Sequence, residues 1–260
     1  MLPESERQAV VEALLEANRT KVQTTRPSAL YPAIEFEDSY AISAEVARRT
    51  IESGAELIGY KVGLTSLAMR RSSKIDEPDF GFLYNHFLHP DGATLNHADF
   101  CVPRVELELA FVLKDALKGP GVTMLDVMRA TEYIVPSIEI IDARVDEPRK
   151  IFDTIADNGA GAGLILGGRP LRPHDVDLRM VMGILSRNAD IEETGVSCGV
   201  MGHPANAVAW LANKLHSIGV HLQAGQILLA GSFVRPVWAE PGDTLRADFA
   251  DLGTVSIHFS

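Results

Sequence analysis

The sequence predicts an α+β protein built on a mixed, curled β-sheet with a helical N-terminal region. Helical periodicity dominates residues 1–54, short β-runs dominate residues 55–260, and those runs do not alternate regularly with helices as in a doubly wound parallel sheet. "SERQAVVEALLEAN" and "FEDSYAISAEVARRTIESG" carry apolar residues at helical spacing, and the second stops at Gly54. The β-runs that follow are "ELIGYKVGL", "VELELAFVL", "YIVPSIEII", "AGLILGG", "LRMVMGIL", "QILLAGSF", "TLRADFA" and "TVSIHFS". Helices are expected over 123–131 and 203–217, with His203 capping the second ahead of Pro204. The closing "EPGDTLRADFADLGTVSIHF" has a Pro-Gly-Asp turn and a break at Gly253, the marks of consecutive antiparallel strands.

Composition narrows the function. A chain of 260 residues with 46% hydrophobic and 23% charged residues is expected to form one large globular domain. The net charge of −11 opposes broad nucleic-acid binding, while leaving room for a local cationic pocket that takes a small anion. No apolar run is long enough to span a bilayer, and "MLPESERQAVV" has acids where a signal peptide would carry basic residues. Only Cys101 and Cys198 occur, which suits a reducing cytoplasm and excludes a cysteine zinc site. "DNGAGAGLILGG" lacks the strand-glycine-helix context of a dinucleotide fingerprint, since a strand follows the glycines. They are expected to permit a tight loop or a close backbone approach. The eight histidines form no metal signature.

The informative stretch is "PRVELELAFVL". On a period-2 pleat Val105, Leu107, Leu109 and Phe111 point one way, and Glu106, Glu108 and Ala110 the other. Glu139 has a similar setting in "YIVPSIEIIDAR". Burying ionised carboxylates costs several kcal/mol unless a cation, a proton or strong donors compensate. Salt bridges to Arg104, Arg144 or Arg179 would serve; so would a hard divalent cation, which favours oxygen ligands. Lys61, also in an apolar strand, favours the second reading, because a buried lysine beside a cation can act as a general acid or base.

With these residues in place, the chain resembles the fumarylacetoacetate hydrolase superfamily, and within it the hydratases and decarboxylases of aromatic meta-cleavage pathways. The likeness rests on "GYKVGLTS", "DEPDFG", "PRVELELAFVL", "VPSIEIIDAR", "FDTIADN", "LGGRP", "GHPANAVAWLANKL" and "AGQILLAGSF", in one order along nearly the whole chain. "RKIFDTIADN", "IEETGV" and "GSFVRPV" are most similar to hydratases of a dicarboxylic substrate in homoprotocatechuate degradation. The resemblance implies one catalytic domain over 1–260, with a helical lead-in at 1–54 and a metal-binding β-rich core at 55–260. It implies Mg²⁺ or Mn²⁺ on Glu106, Glu108 and Glu139, proton transfer by Lys61 and by Asp79 in an active-site lid, and substrate binding by Ser232, Asp157 and Asn158. It also implies a cytoplasmic homo-oligomer that hydrates a 2-hydroxy-2,4-dienoate in equilibrium with its 2-oxo form. Decarboxylation of 4-oxalocrotonate, hydration of a monocarboxylic pentadienoate and acylpyruvate hydrolysis are the alternatives. A second carboxylate on the substrate needs its own cation, and Arg235 is expected to supply it unless it is spent on a surface pair with Glu240; Arg70 and Lys150 are the other candidates. "DNGAGAG" and "ARVDEPRK" depart from the family pattern near the expected pocket mouth.

Overall fold

In a computed structural model that describes residues 1–73 and 75–260, the N-terminal region forms helices α1 (Glu4–Thr20), α2 (Pro27–Leu30) and α3 (Phe36–Glu52). Then come β1 (Leu57–Gly63), α4 (Leu67–Ser73), β2 (Asp79–Tyr84), β3 (Leu88–His89), β4 (Ala93–Leu95), β5 (Pro103–Leu113), α5 (Met124–Ala130) and β6 (Thr131–Asp142). The chain ends with α6 (Ile151–Ala156), β7 (Gly161–Leu166), β8 (Met182–Arg187), β9 (Asp190–Val196), α7 (Pro204–His216), β10 (Ile227–Leu229), β11 (Val237–Trp238), β12 (Thr244–Asp248) and β13 (Thr254–Phe259). No helix among the described residues is long and apolar enough to cross a membrane.

The fold is α+β with a curled, mixed large sheet, as the sequence predicts. That sheet runs β2-β1-β10-β5-β6-β7-β3, with β11 also pairing β5, and the smaller sheet runs β4-β13-β12-β8-β9. β1 pairs β10 in parallel, whereas β5 pairs β6 and β10 antiparallel. The main core fills one face of the large sheet. Tyr60, Val62, Val105, Leu107, Leu109, Phe111, Ile138 and Ile140 meet α7 and the inner residues of β12 and β13 there. His203 caps α7 by accepting a 3.1 Å bond from the Ala205 N–H through Nδ1.

Two expectations change. "LRMVMGIL" becomes a strand only from Met182, and the polar "DIEETGV" forms β9, because pairing with β8 outweighs a weak local preference for the strand. Asp79, assigned to a lid by resemblance, opens β2 opposite Gly63 of β1 and is buried.

The N-terminal helices have a defined place. Val10, Val11, Leu14 and Ile42 form a second core with Val145 and Ala156, so α1 and α3 brace the segment that leads into α6. Buried Asp153 in α6 accepts bonds from the Ser28 N–H and hydroxyl, both at 2.7 Å, and from the Lys150 N–H at 2.8 Å. These helices therefore hold α6 in place.

Candidate metal centre and substrate cavity

Strand register alone gathers the site. Across the large sheet, Lys61 in β1 pairs Leu229 in β10, Leu229 pairs Ala110 in β5, and Ala110 pairs Val135 in β6. Paired residues share a face and every second residue returns to it, so Lys61 lies on the face that carries Glu106 and Glu108. Glu139 sits directly opposite Glu106, and Asp79 opposite Gly63, which puts both on the same side. Four acids and one lysine thus converge from β1, β2, β5 and β6. The sequence-predicted metal set is brought together: Glu106, Glu108 and Glu139 each offer an oxygen, all within 4.8 Å of one another.

The cluster is starved of donors. Glu108 Oε2 accepts a 2.7 Å bond from the Gly231 N–H, and Lys61 Nζ lies 3.3 Å from Glu139 Oε1. Neither Glu139 oxygen has a hydrogen-bond partner among the described residues, nor does Asp79 Oδ1. Arg104 and Arg144 pair elsewhere, with Glu147 and Asp157, so the salt-bridge reading of the three glutamates does not hold. Burial and then Glu139 push Glu106 up to about 8; burial, Glu139 and Glu106 hold Glu108 well above the carboxylate range. Burial also raises Asp79. Burial disfavours the Lys61 charge, but Glu139, Asp79, Glu106 and Glu108 outweigh it and keep the ammonium. Close oxygens with unspent lone pairs and too little positive charge suit a hard divalent cation, so the residues present fit such an ion.

The cluster opens into a cavity of about 510 Å³. Met69, Ile141 and Phe233 give it apolar wall, and Arg104, Arg149 and Arg235 line it as well. Two glycine positions shape it. Residues 158–160 run through three positive φ angles, and a Cβ on Gly159 would stand 2.8 Å from Lys61 Cε. The close backbone approach expected of "DNGAGAG" is made here, against the stem of the buried lysine. A Cβ on Gly231 would likewise strike the Thr65 hydroxyl at 2.3 Å, beside the N–H that Glu108 uses.

The expected substrate-binding residues fare differently. Ser232 lines the cavity, yet its hydroxyl lies 3.2 Å from the Leu107 carbonyl and 3.0 Å from that of Val234. Asp157 reaches the cavity wall, but Arg144 takes both its oxygens: the backbone N–H at 2.7 Å and Nε at 2.5 Å. Asn158 accepts from the Phe82 N–H at 2.7 Å and donates to its carbonyl at 3.1 Å. Asp157 and Asn158 make these bonds on either side of the left-handed turn beside Lys61. Arg235 lies at the mouth, 82% exposed, and pairs at 2.7 Å with Glu193 and not with Glu240. The sequence reading missed Arg149 as a cavity residue and took Arg104 only as a salt-bridge partner. The period-2 pattern of "PRVELE" was the available signal for Arg104, which shares the face of Glu106 and Glu108.

Comparison with known proteins agrees with this geometry. No protein-family profile matches the sequence. The chain is 49% identical over 257 residues to a 2-oxo-hept-4-ene-1,7-dioate hydratase of Escherichia coli, covering 96% of each chain. It is 36% identical over 230 residues to a 4-oxalocrotonate decarboxylase of Pseudomonas putida, covering 88% of this chain and 87% of the other. Among solved structures, 4-oxalocrotonate decarboxylase from Pseudomonas putida G7, complexed with magnesium and adipate, superposes with a TM-score of 0.96 at 32% identity over 100% of this chain and 99% of the other. From its sequence, its fold and its carboxylate cluster, the chain belongs to the meta-cleavage hydratase and decarboxylase family of the fumarylacetoacetate hydrolase superfamily.

Proposed function

We propose that the chain is a hydro-lyase that adds water to a dicarboxylic 2-hydroxy-2,4-dienoate, of the kind named for its Escherichia coli relative, and releases a 4-hydroxy-2-oxo acid. The observation that carries this reading is the acid-lysine cluster at the head of the cavity, where neither Glu139 oxygen makes a hydrogen bond among the described residues and only Lys61 Nζ comes as near as 3.3 Å. Glu106, Glu108 and Glu139 would hold a divalent cation, and magnesium or manganese suits an all-oxygen set. When bound, such an ion supplies Lewis-acid stabilisation of negative charge on the substrate's 2-oxygen.

The chain's own residues handle protons and position. Ketonisation removes the proton of the 2-hydroxyl and places one on C5; hydration then adds hydroxyl to C4 and a proton to C3. Lys61 and Asp79 are the groups suited to these transfers. Burial raises Asp79 and so favours its protonated form, and among the described residues its Oδ1 has no partner on the cavity side. Lys61 keeps its charge among the acids and faces the same space, where it can donate to a developing oxyanion. Gly159, packed on its stem, keeps Nζ from swinging away. Phe233, Val234 and Ile141 keep water from the carbon chain.

The decisive assay follows loss of dienol absorbance by the purified protein with Mg²⁺ or Mn²⁺, over a panel of mono- and dicarboxylic 2-hydroxydienoates. Metal-dependent decay without CO₂ release is the expected result. The similarity to 4-oxalocrotonate decarboxylases supports a second reading, and stoichiometric CO₂ from 4-oxalocrotonate would select it. We also infer a cytoplasmic homo-oligomer, supported by two free cysteines and by exposed Met182, Ile184 and Ile191 on the β8–β9 hairpin. Leu30, Phe36 and Ile51 on the N-terminal helices are exposed as well, although Val10, Val11, Leu14 and Ile42 are buried within the chain. Light scattering that gives a monomer at micromolar concentration would count against the oligomer.

A further inference from the structure

We propose that Arg104 and Arg149 together receive the far carboxylate of the substrate, and that Arg235 does not; this rests on the dienoate-hydratase reading of the cavity. Both arginines line the cavity, with side chains 20% and 13% exposed. Arg104 is two residues before Glu106 on the same face of β5, and alternate residues on a strand lie about 6.6 Å apart. The next pair on the same face of the sheet from Glu106 and Glu139 is Arg104 and Ile141. A substrate anchored by one carboxylate at the glutamates would lay its carbon chain over Ile141 and carry its other end to Arg104.

The arginines have unspent capacity. The Arg104 guanidinium stacks on Trp238, 4.4 Å from the ring centroid, which orients it from one side. Among the described residues none of its N–H groups makes a hydrogen bond, and its nearest acid is Glu147 Oε1 at 3.8 Å. Arg149 approaches from the segment before α6 and is held by Glu147 through its guanidinium and through its backbone N–H at 2.9 Å. Glu147 is 60% exposed, so it sits on the solvent side of both cations. Two guanidiniums against one acid leave one positive charge, which one carboxylate neutralises with charge-assisted, fork-shaped bonds. Arg235 has no such surplus: it is exposed, and its charge is matched by Glu193. The departure at "ARVDEPRK" thus falls on the segment that brings Glu147 and Arg149 to the pocket.

The test compares kcat/KM for the dicarboxylic heptadienoate and for monocarboxylic 2-hydroxypentadienoate in wild type, Arg104→Met, Arg149→Met and Arg235→Leu, each checked for native thermal unfolding. Arg104→Met and Arg149→Met should each lose roughly 30-fold or more on the dicarboxylate, mainly through KM, and about threefold or less on the monocarboxylate. Two variants are used so that a folding defect in one leaves the other to decide. Equal loss on both substrates, or a selective loss in Arg235→Leu alone, overturns the proposal. Calorimetric binding of adipate and hexanoate to the Mg²⁺-loaded protein separates this idea from the hydratase reading. Wild type should favour adipate and Arg104→Met should not, even if no dienoate is turned over; an undiminished adipate preference in the variant removes Arg104 from the subsite.

Discussion

Arg144 and Asp157 are buried, as are Glu108 and Glu139, yet the two charge clusters are built on opposite terms. Around Arg144 each charge has its partners. Nε and the backbone N–H bond the Asp157 carboxylate, while the two terminal nitrogens bond the carbonyls of Gly161 at 3.1 Å and Asp157 at 2.7 Å. Burial pushes Asp157 up to about 6 against the pull of Arg144, so it is ionised at neutral pH. Around Glu139 four acids face one ammonium, donors are missing, and Glu106 at about 8 is mostly protonated at the same pH. The first cluster fixes a turn. The second leaves acceptors without hydrogen bonds among the described residues. Completeness of hydrogen bonding, more than burial, distinguishes the two clusters.

The largest expected effect breaks the incomplete cluster. Glu139→Gln keeps the shape and removes a charge, so turnover should fall roughly 10³-fold, the equivalent of several kcal/mol of lost charge stabilisation. Thermal unfolding without metal reads separately what the 3.3 Å pair with Lys61 contributes to stability. Full activity in this variant, with EDTA also harmless, would refute the metal centre.

Lys61→Met should come next, with turnover down at least ~100-fold and metal affinity, read by calorimetry, changed far less. A variant with wild-type kcat would reduce Lys61 to an ion-pair partner of Glu139.

The complete cluster should answer in stability first. Asp157→Asn leaves Arg144 buried without its counter-charge and should cost about 3–5 kcal/mol in denaturant unfolding. If instead stability holds and only KM rises, the Asp157 carboxylate does bind substrate and its assignment to the turn fails.

The smallest effect is in pH. Glu106 has a raised folded-state value, so its protonated form contributes stability below about 4.5, and that contribution is lost as pH rises through about 8. In EDTA the melting temperature should therefore decline across that window. Saturating Mg²⁺ should shrink the decline, since the cation competes with protons for the same oxygens. A metal-free melting temperature that climbs with pH would show that the glutamates are already compensated.

Much of this was legible in the sequence because strand alternation is local. "VELELAF" states by itself that two acids share a face, and "YIVPSIEII" places Glu139 in an apolar strand. The convergent glutamates, the buried lysine, the glycine approach and the α+β class follow from such runs of a few residues. Partner choice was not legible, because it depends on register between strands far apart in the chain and on which loops the N-terminal helices brace. Asp157 and Asn158 sit in a motif that suggested ligand contact, but the fold turns them onto Arg144 and Phe82. Asp79 was assigned to a lid by resemblance alone, and only the tertiary structure shows it pairing with Gly63 of β1 as a strand residue. Arg235 and Arg104 both flank apolar runs and look alike as letters. Only the tertiary structure matches the first with Glu193 at the surface and leaves the second with unspent donors beside Ile141. Local pattern determines which face a side chain takes; long-range packing determines whether its charge is already answered when it arrives there.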